Sequence, residues 1–152
     1  MMFTASRLFL FIWTPIFVGL AFFFFQQTKD ASKNTSDTSL VSIRDKTWAA
    51  EKASTPDLRT KGLSNRESLC DGCAMLFEFE TEGEHGFWMK DMRFAIDIAW
   101  IRDAKVVHIE RRVPADYSGV IIPSEGATEV LETNAGDMEG ISVGDAVSLS
   151  EQ

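Results

Sequence analysis

The stretch F-W-M-K-D-M-R-F-A-I-D-I-A-W-I, residues 87–101, decides the fold of this chain. Aromatic and aliphatic side chains dominate it, and its only charged residues are Lys90, Asp91, Arg93 and Asp97. Apolar side chains that recur at every second position are typical of β-strands. The stretch therefore predicts a strand, a bend and a second strand, with a hydrophobic core on the apolar side and the charged residues at the rim of a candidate site.

The same alternation continues on both sides of this stretch. It predicts strands at Thr47–Lys52, Ala74–Phe79, Gly86–Lys90, Ile96–Arg102, Lys105–Arg111, Ala127–Glu132 and Ala146–Leu149. The pair Asp103-Ala104 separates two of them closely enough to predict a hairpin turn. Residues 112–126 contain two Pro and two Gly, which predict an irregular loop.

Two short segments carry helix signals instead. Thr55 can cap a helix that has Pro56 at its first position, and Gly62 can end it. Asn134 can cap a second short helix over Ala135–Glu139.

Together these elements predict a compact, mostly antiparallel α+β domain. It has about seven short strands in a small barrel-like arrangement and two short helices. The predicted core consists of Phe77, Phe79, Phe87, Trp88, Phe94, Ile96, Ile98 and Trp100.

The N-terminal part of the chain has a different composition. Residues Leu8–Phe25 form a mostly apolar run that is long enough to cross a bilayer as a helix. No small-x-small cleavage site ends this run, so we predict an uncleaved anchor rather than a cleaved signal peptide. Residues 1–7 would then be cytoplasmic, residues 26–43 a flexible polar tether, and residues 44–152 an exported domain on the extracytoplasmic side of the cell membrane.

The charge of the chain limits its partners. The formal net charge is −8, and the acidic excess lies in the predicted exported domain. Nucleic acids and anionic lipid headgroups carry dense negative charge, so an acidic domain repels them. We therefore predict no nucleic-acid partner, a membrane contact only through the N-terminal helix, and no cofactor.

The order and spacing of several motifs resemble one family. The matching residues are Gly62-Leu63-Ser64 with Arg66, Ala74–Phe77 with Phe79, Phe87–Lys90, Asp97-Ile98, Ala135-Gly136, Gly140-Ile141 and Gly144-Asp145 with Val147. Over about Asp45–Leu149 this pattern is similar to the bacterial and archaeal "domain of unknown function 192" family. The resemblance implies a compact, mostly β domain that is often exported, and it implies no assigned activity.

Four residues form the candidate ligand site. Lys90 and Asp97 are predicted to lie on adjacent strands, where a Lys beside an Asp can bind a carboxylate. Arg66 can join them in bidentate contact with an anion, and Trp88 lies close to Lys90 in the sequence. The alternative is structural: an ion pair at the sheet rim and an arginine that holds a loop.

Cys70 and Cys73 form a C-x-x-C pair for which three chemistries remain open. In an exported domain the pair predicts a small disulfide loop. A redox dithiol requires a thioredoxin-like setting, which the surrounding pattern does not show. A zinc site requires His85 and His108 to converge on the same loop.

These observations favour a ligand- or partner-binding module of the cell envelope over an enzyme. No Ser/His/Asp arrangement, phosphate loop or H-E-x-x-H motif is present in the sequence. Two alternatives remain: an envelope enzyme with a site around Arg66, Lys90 and Asp97, and a thiol or zinc protein centred on the cysteine pair.

Overall fold

The computed structural model describes residues 37–151, which form a mostly β domain with one short helix. The elements in chain order are β1 Thr38–Ile43, β2 Lys46–Ala53, α1 Pro56–Lys61, β3 Cys73–Gly83, β4 Phe87–Trp88, β5 Ile96–Arg102, β6 Lys105–Val113, β7 Val120–Ile121, β8 Ala127–Asn134 and β9 Val147–Glu151. The predicted anchor lies outside the described residues. No helix within residues 37–151 is long and apolar enough to cross a membrane.

Seven of these strands form a mixed half-barrel sheet in the order β6-β5-β8-β3-β2-β1-β9. Only the β2–β3 pair is parallel, and α1 lies in the connection between these two strands. The remaining strands, β4 and β7, pair with each other as a separate antiparallel ribbon. The prediction of a mostly antiparallel, β-rich domain is therefore confirmed.

The sheet is buried on both faces. Successive side chains of a strand point to opposite faces, and on β8 Leu131 belongs to one core cluster while Val130 belongs to the other. On β5, Ile101 and Trp100 divide in the same way. The first cluster lies inside the curve of the half-barrel and includes side chains of β1, β9 and the loop after β8. The second cluster includes Leu63 and Leu69 from the segment after α1 and residues of the β4–β7 ribbon.

The local signals of the first helix and the hairpin are confirmed. The Thr55 hydroxyl accepts a hydrogen bond from the backbone N–H of Leu58, and Gly62 ends α1 with a φ of 47°. The β5–β6 hairpin turns at Asp103 and Ala104, which both have positive φ, as a type I′ turn requires.

The predicted tether extends too far toward the C-terminus. Its last residues form β1, in which Val41 and Ile43 are fully buried. The tether as a whole, residues 26–43, is polar in composition, and for this reason the strand at its end was not predicted. That strand pairs with β2 on one side and with β9 on the other. Similarly, the predicted irregular loop at residues 112–126 contains the short strand β7.

The predicted second helix is wrong. Residues 135–140 form consecutive turns, in which Gly136 and Gly140 adopt φ values of 95° and 81°. These left-handed conformations interrupt a helix. In addition, the backbone N–H groups of Gly136 and Met138 donate to the carboxylate of Asp97 at 2.9 Å.

Candidate functional site

A cleft of about 320 Å³ opens on the face of the sheet that carries Trp100. Residues of α1 and the segment that follows it form one wall, and β4 with the loop before it forms the other. The floor comes from β3 and β8. The cleft is lined by Pro56, Arg59, Thr60, Lys61, Gly62, Leu63, Ser64, Phe77, Phe79, His85, Gly86, Phe87, Trp88, Met92 and Glu132.

Aromatic rings form part of the cleft lining. Phe77 and Phe87 meet edge to face with ring centroids 4.8 Å apart. Phe79 stacks on the His85 ring at 3.5 Å, and the Arg59 guanidinium lies 5.1 Å from the Phe79 centroid. Such rings offer a flat apolar surface and a polarised face to a ligand.

Glu132 is the one acidic residue that lines the cleft. Only 5% of it is exposed. Its neighbours across the sheet are Met75 on β3 and Ile98 on β5, both of them buried and apolar. Among residues 37–151, no hydrogen bond reaches its carboxyl group, yet its oxygens are not sealed from solvent. They therefore retain access to the cleft.

This environment changes the ionisation of Glu132. Burial raises the pKa of its carboxyl to about 8, because a charged carboxylate loses its hydration there. The Arg66 guanidinium opposes this effect but does not cancel it. Glu132 is therefore mostly neutral at pH 7, and a neutral carboxyl can donate one hydrogen bond as well as accept.

Arg66 is held away from direct ligand contact by Glu51. Its two terminal nitrogens donate to the two carboxylate oxygens of Glu51 at 2.7 and 2.8 Å. These hydrogen bonds lower the pKa of Glu51 below its ordinary value. Glu51, Met75 and Glu132 are in register across three adjacent strands, so the guanidinium bound to Glu51 lies on the same side of the sheet as Glu132. Arg66 therefore affects the charge state of Glu132, although it does not line the cleft itself.

Of the four residues predicted as a ligand site, Trp88 alone lines the cleft. We expected this residue to be buried, and that expectation is wrong, because 53% of Trp88 is exposed. It lies on the β4–β7 ribbon opposite Val120, which is also exposed. Trp88 therefore offers an open ring at the mouth of the cleft, whereas Trp100 is fully buried as predicted.

Asp97 lies on the other face of the sheet from the cleft. Side chains alternate along β5, so Asp97 points away from the face that carries Ile98 and Trp100. It is fully buried, and its oxygens accept three hydrogen bonds, from the backbone N–H groups of Arg112 at 2.7 Å and of Gly136 and Met138 at 2.9 Å. These contacts hold the loop after β8 and the end of β6 in place.

We expect Asp97→Ala to destabilise the domain by about 3 kcal/mol or more, because a buried N–H group that loses its acceptor costs roughly 1–3 kcal/mol. Urea unfolding would measure the difference. Asp116→Ala, at an exposed position, serves as the matched control and should change stability by less than about 0.5 kcal/mol. Equal stability of the two variants would show that Asp97 does not hold these loops.

Lys90 is exposed at the bend between β4 and β5. Its backbone carbonyl accepts a hydrogen bond from the Ser64 hydroxyl at 2.9 Å. The backbone N–H of Asn65 donates to the carbonyl of Asp91 in the same bend. The bend therefore supports the segment after α1, and with it one wall of the cleft.

The cysteines and histidines make separate contacts. Cys70 and Cys73 are joined by a disulfide. His85 stacks in the cleft wall, while His108 contacts the hydroxyl of Ser124 and the carboxylate of Glu110, each at 3.2 Å. Within residues 37–151, no group of three or more His, Cys, Asp or Glu side chains converges as a metal site would require.

The sequence reasoning missed Glu132, although a signal for it was present. Val130 and Leu131 are consecutive apolar residues on a predicted strand, which indicates that the strand is buried on both faces. Glu132 shares a face with Val130, so it had to point into the protein. A buried carboxyl without an obvious partner indicates a candidate site.

Comparison with known proteins identifies the fold. The model of the DUF192 family, described as "Uncharacterized ACR", matches residues 39–149. No curated protein matches the chain.

Two solved structures are similar to this one. A "putative transcription regulator" from Sinorhizobium meliloti 1021 is 26% identical, with a TM-score of 0.71 over 76% of this chain and 97% of that chain. A protein of unknown function from Novosphingobium aromaticivorans DSM 12444 is 24% identical, with a TM-score of 0.72 over 77% of this chain and 89% of that chain. The second likeness shows the fold alone.

Proposed function

Because the chain belongs to the uncharacterised DUF192 family, we propose its function from its own residues: it is a ligand-binding module that takes a small, largely apolar molecule into the cleft. The observation that carries this proposal is Glu132, a carboxyl that is buried at the cleft floor without a hydrogen-bond partner among the described residues. Its oxygens face the cleft, where only water can pair with them, and a ligand that hydrogen-bonds to them replaces that water.

The rest of the cleft supports the same function. Its volume of about 320 Å³ lies at the lower end of the range for small-molecule sites, which are mostly apolar with a few directed polar groups. The edge-to-face packing of Phe77 and Phe87 and the capping of α1 hold two walls in place. A preformed cleft binds a ligand with a small ordering cost.

An enzyme centred on Arg66, Lys90 and Asp97 has less support. Asp97 lies on the opposite face of the sheet, its oxygens are taken by backbone N–H groups, and Arg66 is occupied by Glu51. A thiol mechanism has less support as well, because Cys70 and Cys73 are bonded to each other and do not line the cleft. Binding is the function that the cleft residues favour.

A melting-temperature screen of the full-length protein with small molecules of varied chemistry tests this proposal. A ligand that binds only the folded state raises the melting temperature. We expect at least one compound to bind saturably, and Trp88→Ala to weaken that binding about tenfold, since the loss of one stacked ring costs about 1.4 kcal/mol.

Leu149→Ala on β9 is the matched control, because Leu149 is also a large exposed apolar residue but does not line the cleft. It should bind the same compound like the unsubstituted protein. The proposal fails if no compound in the screen binds, or if the Trp88 and Leu149 variants bind alike.

We also propose that residues Leu8–Phe25 anchor this module in the cell membrane and that residues 44–152 are outside the cytoplasm. The proposal rests on the apolar run and on the absence of a small-x-small site in the sequence that ends it, Phe22–Gln27. The full-length protein should remain in the membrane fraction after an alkaline wash, with its C-terminal domain accessible to external protease. A soluble, shortened main product would contradict the anchor.

The regulator description of the Sinorhizobium meliloti relative does not lead us to propose DNA binding. The net charge of −8 would repel the phosphate backbone, which provides most of the affinity in such complexes.

A further inference from the structure

The polar groups that line the cleft indicate which class of ligand it binds, because they differ in charge and in their free hydrogen-bonding capacity. Glu132 is the only acidic side chain in the lining, and Arg59 and Lys61 are its two cationic ones. Behind the floor, the Arg66 guanidinium acts on Glu132 although it is paired with the Glu51 carboxylate. The charge of these groups and the hydrogen bond that Glu132 supplies together determine which ligand the cleft favours.

The field favours an anion. The Arg59 guanidinium is held by the backbone carbonyls of Ser54 at 2.6 Å and Glu78 at 2.8 Å, which leave its charge in place. No carboxylate of a described residue lies within 4.0 Å of the Lys61 ammonium, and the charge that it affects is that of the more distant Glu51. An ammonium ligand would therefore enter a cleft that already carries positive charge, whereas an anionic ligand would be attracted to it.

The hydrogen-bond capacity of Glu132 agrees with that preference. A neutral carboxyl donates its proton to an anionic oxygen, and such charge-assisted O–H···O⁻ hydrogen bonds are short and strong. The neutral form also means that the empty cleft carries no buried negative charge that would repel the ligand. An ionised Glu132 could not donate a hydrogen bond to an anionic ligand, and its negative charge would repel that ligand.

We propose, on the basis of the ligand-binding function above, that the cleft binds small aromatic carboxylates. The ligand carboxylate accepts the Glu132 O–H, and the ligand ring lies against Phe87 and Trp88. The acid end is then at the floor, within the field of Arg66, and the ring extends toward the open mouth. Ligand binding transfers no group, and the shared proton stays between the two carboxyl oxygens.

Glutamine at position 132 provides the decisive variant. The side-chain amide of Glu132→Gln is nearly isosteric, permanently neutral and able to donate a hydrogen bond. It should therefore still bind benzoate, phenylacetate and 1-naphthoate within about threefold of the unsubstituted protein at pH 7. Glu132→Leu, which removes the donor, should weaken binding at least tenfold.

The pH dependence supplies a second readout. Since only protonated Glu132 donates, affinity for the acid should fall by up to tenfold per pH unit above about 8. The same affinity in Glu132→Gln should stay nearly constant. The other charged or titratable groups near Glu132 are Glu51, Arg59, Lys61, Arg66 and His85, and all of them remain in the Gln variant.

Isothermal titration calorimetry of the full-length protein between pH 7 and 9.5 would make these comparisons, with benzylamine, 2-phenylethylamine and 1-naphthylmethylamine as matched cations. Tighter binding of the amines, with loss of that binding in Glu132→Gln, would overturn the acid assignment and leave the ligand-binding function standing. Failure of all three acids to bind would also overturn it. The broad screen with Trp88→Ala judges the ligand-binding function separately.

Discussion

The free energy of unfolding should fall as the pH rises from about 4.5 to 8, and Glu132 alone should account for as much as roughly 5 kcal/mol of that fall. Its pKa is about 8 in the folded domain, against 4.5 as the ordinary value of a glutamate. Each pKa unit of difference between the folded and unfolded states corresponds to about 1.4 kcal/mol. Few other single groups in the domain should affect its stability as strongly.

The direction of the effect follows from proton binding. Between these two pH values the folded state keeps the proton on Glu132, while the unfolded state has released it. Stability falls with pH wherever the folded state binds more protons than the unfolded state. Below pH 4.5 both states are protonated and above pH 8 both are ionised, so the contribution of Glu132 is constant outside this window.

Urea unfolding at several pH values between 4.5 and 9, compared between the unsubstituted protein and Glu132→Gln, isolates this contribution. The stability of the Gln variant relative to the unsubstituted protein should increase across the window and level off above pH 8. Glu80→Gln, at an exposed position on β3, is the control and should show no such increase. Parallel pH profiles for the unsubstituted protein and the Glu132 variant would show that this carboxyl is not held neutral.

Elements with strong local signals were predicted well. Helix α1 starts at a capping threonine and a proline, and its end has a glycine in a conformation that L-residues rarely adopt. The β5–β6 hairpin follows from alternating apolar residues around a short turn. In both cases the residues that determine the structure are neighbours in the sequence, so the sequence alone is sufficient to predict the helix ends and the hairpin turn.

Elements that depend on distant partners were missed. β1 is only six residues long, three of them polar, and becomes a strand because β2 and β9 hydrogen-bond to its two edges. The turns at residues 135–140 replace a helix because Asp97, about forty residues earlier in the chain, captures two of their N–H groups. Tertiary contacts of this kind override local propensity.

The candidate site also combines residues that local sequence signals predict with residues that only the tertiary structure brings together. The sequence prediction included Trp88, which lines the cleft, but it grouped Asp97 with Lys90 because the two are close in the chain. Alternation along β5 places Asp97 on the far face of the sheet, while Glu132 reaches the cleft from β8. Strand order, which brings β8 between β3 and β5, could not be read from the sequence, and it decides which carboxyl lies in the cleft.

The two tryptophans of the 87–101 stretch should respond very differently to truncation. Trp100 is fully buried, its indole N–H donates to the backbone carbonyl of His85 at 2.8 Å, and its ring meets Phe87 and His108 edge to face. We expect Trp100→Ala to destabilise the domain by about 3–5 kcal/mol, through the cavity that it leaves and the carbonyl that loses its donor. Since small domains have only about 5–15 kcal/mol of stability, this variant should unfold at much lower urea concentrations.

Trp88→Ala is the matched control, because it removes the same side chain from a position that is 53% exposed. It should change the free energy of unfolding by about 1 kcal/mol or less and act mainly on ligand binding. Similar destabilisation by both variants would mean that the β4–β7 ribbon depends on Trp88 for its folding, and the loss of binding in Trp88→Ala would then not identify a ligand contact. A large difference would separate the two roles: Trp100 fixes the wall of the cleft through His85 and Phe87, and Trp88 is left free to contact what enters it.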